Sequence, residues 1–138
     1  MAIFNKDMIE LAGKNDFFQK EVYRDAKVQI VLMSIPEGED IGMETHPADQ
    51  TTFFVSGDGQ ATVDGGHTKV SVNHLIVIPK GAEHNIINKG SGPLKLFSVY
   101  APPAEPAGVA HKTKADAEAA EEGIVSRAAK KIKAAIKG

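Results

Sequence analysis

From Arg24 to Leu94 the chain is cut by glycine-bearing turns roughly every ten residues, and the short apolar stretches between them leave no room for a helical spacer. Ser56-Gly57-Asp58-Gly59, Asp64-Gly65-Gly66 and Pro79-Lys80-Gly81 are the plainest of these turns. A chain punctuated in this way is expected to be all-β, folded as an antiparallel sandwich or barrel. The strands it predicts are 17–23, 27–35, 51–55, 60–63, 67–72, 75–78, 84–88 and 94–100. Within the second, VQIVLMSI is almost continuously apolar and so predicts a strand covered on both faces. At 138 residues, such a chain buries about two thirds of its unfolded surface and supports one core.

Two segments carry chemistry. In the first, Gly38, Glu44, His46, Gln50 and Gly57 follow one another; in the second, Pro79, Gly81, His84 and Asn88. Glu44 and His46 are two residues apart, which on an extended strand sends both side chains to one face. Gln50 is again an even step away, although Pro47 predicts a kink between them. His84 follows the Pro-x-Gly turn at the start of a new strand. Imidazole nitrogen mixed with carboxylate and amide oxygen suits a divalent transition metal such as Mn, Fe, Ni, Co or Zn. Glu44, His46, Gln50 and His84 are therefore the candidate metal ligands. Gln50 is either a direct ligand or a group that orients one, because a neutral amide oxygen is a poor partner beside imidazole.

These spacings resemble the two motifs of the cupin superfamily: Gly, two His, Glu and Gly in the first, then Gly, Pro, Gly, His and Asn in the second. Three positions depart from the pattern. Glu44 stands where the family has its first His, Gln50 where it has Glu, and Asn73 where the second motif opens with Gly. The runs PEGEDIGMETHPADQ, IPKGAEHNIIN and YAPPAEPAGVAHKTKADAE are similar to small single-domain bacterial cupins often labelled mannose-6-phosphate isomerase-like. The resemblance implies a double-stranded jelly-roll barrel, usually a homodimer, with a metal in its interior.

Even steps along the strands place Thr52, Phe54, Ile86, Leu96, Ser98 and Tyr100 toward the interior, an apolar wall with a few polar groups. Tyr100 would present its hydroxyl at the pocket mouth and is the one candidate catalytic group outside the ligand cluster. Met33, Phe53, Val55 and Phe97 fall on opposite faces, where they pack the sheets together or bury a dimer interface. His67 and His74 read as surface residues beside turns, and Asn88 as a residue that satisfies backbone at a strand end.

Beyond Tyr100, APPAEPAGVA has three prolines and predicts an extended, surface-running linker that contains His111 in its continuation. Residues 114–122 predict a helix with Thr113 as N-cap. From residue 124, Val125, Ala128, Ile132, Ala135 and Ile136 recur at helical steps among lysines, predicting a short basic amphipathic helix. The organisation expected is thus a barrel domain over residues 1–110, including an N-terminal lead-in, and a helical, Ala/Lys-rich tail over 111–138.

A net charge of −2 and a pI near 6.2 argue against a nucleic-acid partner. The absence of cysteine excludes disulfides and thiol chemistry. No stretch approaches the ~20 apolar residues of a membrane span, and a cytoplasmic location is expected. The functional expectation is a metal-dependent enzyme acting on a small oxygen-rich molecule by isomerisation, decarboxylation or dioxygenase-like cleavage. The alternative is a non-catalytic cupin that binds a sugar or small acid as sensor or carrier.

Overall fold

The computed structural model describes residues 3–123. Nine antiparallel strands and two helices account for its regular structure: α1 (Met8–Lys14), β1 (Gln19–Arg24), β2 (Gln29–Ile35), β3 (Asp49–Ser56), β4 (Asp58–Val63), β5 (Gly66–Ser71), β6 (Leu75–Ile78), β7 (His84–Asn88), β8 (Leu94–Ala101), β9 (Ala110–His111) and α2 (residues 114–123). A six-stranded sheet, ordered β6-β3-β8-β2-β1-β9, faces a three-stranded one, β5-β4-β7. This is the jelly roll with a helical tail that the turn rhythm and the motif resemblance predict. The basic amphipathic segment from residue 124 onward lies outside the described residues.

The turns work as their composition dictates. Asp25 closes the β1–β2 hairpin by accepting from the amides of Lys27 (2.7 Å) and Val28 (2.9 Å). Between β3 and β4, Gly57 has φ of +95°, and a Cβ on Gly59 would stand 2.6 Å from the Ile87 carbonyl oxygen. Glycine is thus required at the first by backbone conformation and at the second by close approach. Asn73 adopts φ of +71°, the left-handed region that asparagine tolerates best after glycine, which explains how it serves where the family pattern has Gly.

Between the sheets, Val31, Ile35, Phe54, Ala61, Val70, Ile86, Leu94 and Leu96 are essentially inaccessible and form one cluster. Met33 belongs with them rather than with Phe53 and Phe97. The register pairs Met33 with Leu96, both pointing inward, and Leu32 with Phe97 on the other side. Leu32 and Met33 are both buried, so β2 is covered on both faces as its composition predicts. Part of the outer cover is α1, which packs on β8 and β3. It is capped by Asp7 at its start, and Lys95 donates to the Gly13 carbonyl near its end (2.7 Å).

The 102–109 segment differs from the surface linker its prolines suggest. Gln29, fully buried on β2, accepts from the amides of Ala104 (3.0 Å) and Glu105 (2.9 Å) and donates to the Glu105 carbonyl (3.1 Å). A short β9 then pairs with β1, placing His111 opposite Gln19 in the sheet rather than in a free linker. The helix α2 begins at Thr113, whose hydroxyl accepts from the Asp116 amide (3.1 Å). Lys114 pairs with Asp40 (2.6 Å), which fastens α2 over one end of the barrel.

Candidate metal centre

The segment preceding β3 carries Glu44 and His46, yet it is not a strand. Pro47 delays the strand until Asp49, and residues 40–46 touch the small sheet through isolated bridges at Asp40 and Glu44. Glu44 and His84 exchange backbone hydrogen bonds of 2.8 and 2.9 Å, which sets the two motifs side by side. Glu44, His46 and His84 each offer a ligand atom, and these atoms lie within 4.8 Å of one another.

Each member is held differently. His84 is buried on β7, and its Nδ1–H donates to the Ala82 carbonyl (3.0 Å), which orients the ring and leaves Nε2 free to act as a ligand nitrogen. That Nε2 is buried and has no hydrogen-bond partner among the described residues. His46 lies beside it, with ring centroids 5.2 Å apart, and its Nε2 meets the Glu44 carboxylate at 3.0 Å. Gln50, 2% exposed on β3, donates through Nε2 to Thr52 Oγ1 (3.1 Å) and Ser98 Oγ (3.3 Å). Its Oε1 is left buried and, among the described residues, unpartnered. Two orphaned buried acceptors next to a carboxylate and a second imidazole are a donor set that fits a divalent transition metal, since an unsatisfied buried polar group otherwise costs about 1–3 kcal/mol.

Tyr100 is in the wall rather than at the mouth: its ring meets His46 edge-on at 5.3 Å and the residue is 2% exposed. Burial, with Glu105 and Glu44 nearby, pushes its hydroxyl well above the usual tyrosine range, so it stays protonated at neutral pH.

Glu105 is the group that sequence reasoning missed. It stands 3.6 Å from His46 Nε2, with its side chain only 14% exposed. Burial and then the charge of Glu44 hold its carboxyl above the usual range. Burial pulls His46 the other way, toward neutrality, but the Glu44 hydrogen bond and the charges of Glu105, Glu44 and Glu121 outweigh it and raise the imidazole. A glutamate framed by prolines carries no metal-site signature; the only hint in the chain was the buried glutamine that its backbone needs.

The enclosed space beside these groups is small, about 30 Å³, walled by Phe18, Met33, Ile41 and Ile86 and roofed by Glu105 and α2. That is room for little more than water, which needs at least about 10–15 Å³ on the same measure. No described helix is long and apolar enough to cross a membrane.

Comparison with known proteins agrees with this architecture. The family model described as Cupin domain matches residues 31–100. The chain is 43% identical over 118 residues to the uncharacterized protein YrkC of Bacillus subtilis, covering 79% of this chain but spanning only 62% of that protein's length. It is similar to the crystal structure of BH2720 from Bacillus halodurans, with 37% identity, a TM-score of 0.83, and coverage of 86% of this chain and 95% of that one. A cupin superfamily protein of Desulfitobacterium hafniense shares the fold at 21% identity and a TM-score of 0.57, over 62% of this chain and 76% of its own. With both motifs inside the matched region and the barrel built as they require, the chain belongs to the cupin domain family.

Proposed function

We propose that the protein is a metal-dependent cupin acting on a small oxygen-rich molecule, with Glu44, His46 and His84 holding the ion and Gln50 Oε1 facing it as ligand or orienting group. The observation that carries this reading is His84 Nε2, buried and unpartnered within reach of two other donors. When bound, Mn, Fe, Ni, Co or Zn supplies Lewis-acid polarisation of a bound oxygen, or O2 chemistry if iron, in keeping with an isomerase, decarboxylase or dioxygenase-like reaction.

The chain's own groups have definite tasks in that reading. Ala82 holds the His84 tautomer, and Thr52 and Ser98, linked to each other at 2.7 Å, hold the Gln50 amide with its oxygen free. Tyr100, its hydroxyl held above the usual tyrosine range by burial, is placed to donate a hydrogen bond to a ligand. Phe18, Met33, Ile41 and Ile86 form the apolar wall of the space beside the ion. A substrate larger than water enters only if the Glu105 segment or α2 moves aside. That closure favours a second reading, a non-catalytic sensor or carrier that opens on binding. A homodimer is proposed as well: Leu75 and Val77 on the edge strand β6 are exposed, beside the Phe53–Phe97 pair on the same large sheet.

Metal analysis of protein purified without chelators tests the first claim. Stoichiometric transition metal is expected in the parent and none in the His46→Ala, His84→Ala double variant, whereas a metal-free parent refutes the proposal. Product formation and O2 uptake with dicarbonyls, hydroxy acids and sugar phosphates separate enzyme from carrier, which would bind without turnover. Light scattering with Leu75→Lys, expected to convert dimer to monomer, tests the assembly.

A further inference from the structure

We propose that Glu105 is a second carboxylate of the metal centre, beside Glu44, delivered from outside both motifs by the 102–109 segment. The inference rests on the metal-binding reading above. Its first support is a charge imbalance. Among the described residues, the one ion-pair partner of the Glu105 side chain is His46, and that imidazole is already engaged more closely by Glu44, at 3.0 Å against 3.6 Å. Two partly desolvated carboxylates thus share a single imidazole. A buried carboxylate without its own cation costs several kcal/mol, and a divalent ion beside it removes that penalty. Among the described residues, the nearby cations are committed elsewhere: Arg24 donates to the backbone oxygen of Glu105 rather than its carboxylate, and Lys114 lies 2.6 Å from Asp40.

The second support is independent of charge. His84 Nε2 and Gln50 Oε1 are buried and unpartnered, and Gln50, Glu44 and Glu105 line the same small cavity. Glu105 is held there by design of the backbone. Buried Gln29 brackets residue 105 from both sides, accepting from its amide and donating to its carbonyl, while Gln29 Nε2 also donates to Glu21 (2.7 Å). The clamp fixes the backbone at residue 105; its carboxylate stands 3.6 Å from His46 but outside the 4.8 Å group of Glu44, His46 and His84, and a rotation of the side chain about that fixed point would bring it to the ion.

The test uses the full chain, freed of metal by chelation and titrated with Mn(II) and with Co(II). Glu105→Gln is expected to bind both about 10–100-fold more weakly and to alter the visible absorption of the Co(II) form, while Glu118→Gln, on the roof but away from His46, stays near the parent. Metal-free Glu105→Gln is expected to melt no lower than the metal-free parent, because an unneutralised buried carboxylate has been removed. Equal affinity, or an unchanged Co(II) spectrum, overturns the proposal. Should Glu105→Gln fail to fold, Glu105→Asp, which keeps the charge on a shorter arm, is judged by the same spectral criterion. A parent that binds neither metal refutes the proposed function itself, a distinct result.

Discussion

Replacing Gln29 by methionine removes four hydrogen bonds while conserving volume. Lost are the donations to Glu21 Oε2 and to the Glu105 carbonyl, and the acceptances from the amides of Ala104 and Glu105. At a net ~1 kcal/mol each the loss would reach about 4 kcal/mol, with the bond to the Glu21 carboxylate the most valuable. Two features reduce it. Residues 104 and 105 are only half-buried, so their amides can recover water, and Arg24 still donates to the Glu105 carbonyl (2.9 Å). About 3 kcal/mol remains, which for a domain of this size lowers the melting temperature by roughly 10 °C. Calorimetry measures the global loss, and hydrogen exchange of the Ala104 and Glu105 amides reports whether it originates in the 102–109 segment. A fall of less than about 3 °C with both amides still protected would refute the argument that this one side chain fastens the segment to the barrel.

Glycine tolerance divides the turns by cause. Gly59→Ala drives a methyl group to within 2.6 Å of the Ile87 carbonyl and 2.8 Å of Leu94 Cδ2, whereas Gly65→Ala meets open space and only the strain of φ +82°. In urea unfolding the first is expected to cost about 3 kcal/mol and the second about 1 kcal/mol, and equal losses would contradict the packing argument. Hydrogen bonds from Lys114 and then Asn85 hold the Asp40 carboxyl below its usual range. A depressed carboxylate contributes stability above its unfolded value, near 3.9, and loses it as pH falls through the folded one. Asp40→Asn is therefore expected to speed hydrogen exchange in residues 114–120 at pH 7, with the difference from the parent holding down to about pH 4 and closing only as the pH falls further, through the lowered folded value. A difference that persists in acid would mean that the ion pair is not what anchors α2.

How much of this was legible depends on whether the signal is local. The strands at 75–78 and 84–88 emerge with the boundaries that their flanking turns predict, because Pro79 and Gly81 fix the chain's direction within a few residues. The same locality made His84 recognisable, and its neighbourhood with Glu44 and His46 follows from motif spacing. Met33 was harder, because which face a strand residue takes depends on register, and β2 is apolar on both sides. The helix α1 has seven residues and one buried side chain, Ala12, so it carries almost no periodic pattern; its cap from Lys95 comes from 82 positions away. Glu105 was invisible for the same reason. Its position is dictated by Gln29, 76 residues earlier, and proline-rich composition reads as surface when that partner is unknown.

The irregular course of residues 41–46 has a mechanical consequence. A regular strand would tie this segment to its neighbour through a continuous ladder, but here one bridge at Glu44 and another at Asp40 join it to β7. Such a seam is where a barrel opens first under thermal agitation, long before its sheets separate. An ion gripping Glu44 and His46 on one side and His84 on the other would be a rivet across that seam. Loading would then slow amide exchange in residues 41–46 far more than in β2 or β8, so that the barrel's weakest joint serves as the gauge of whether its centre is filled.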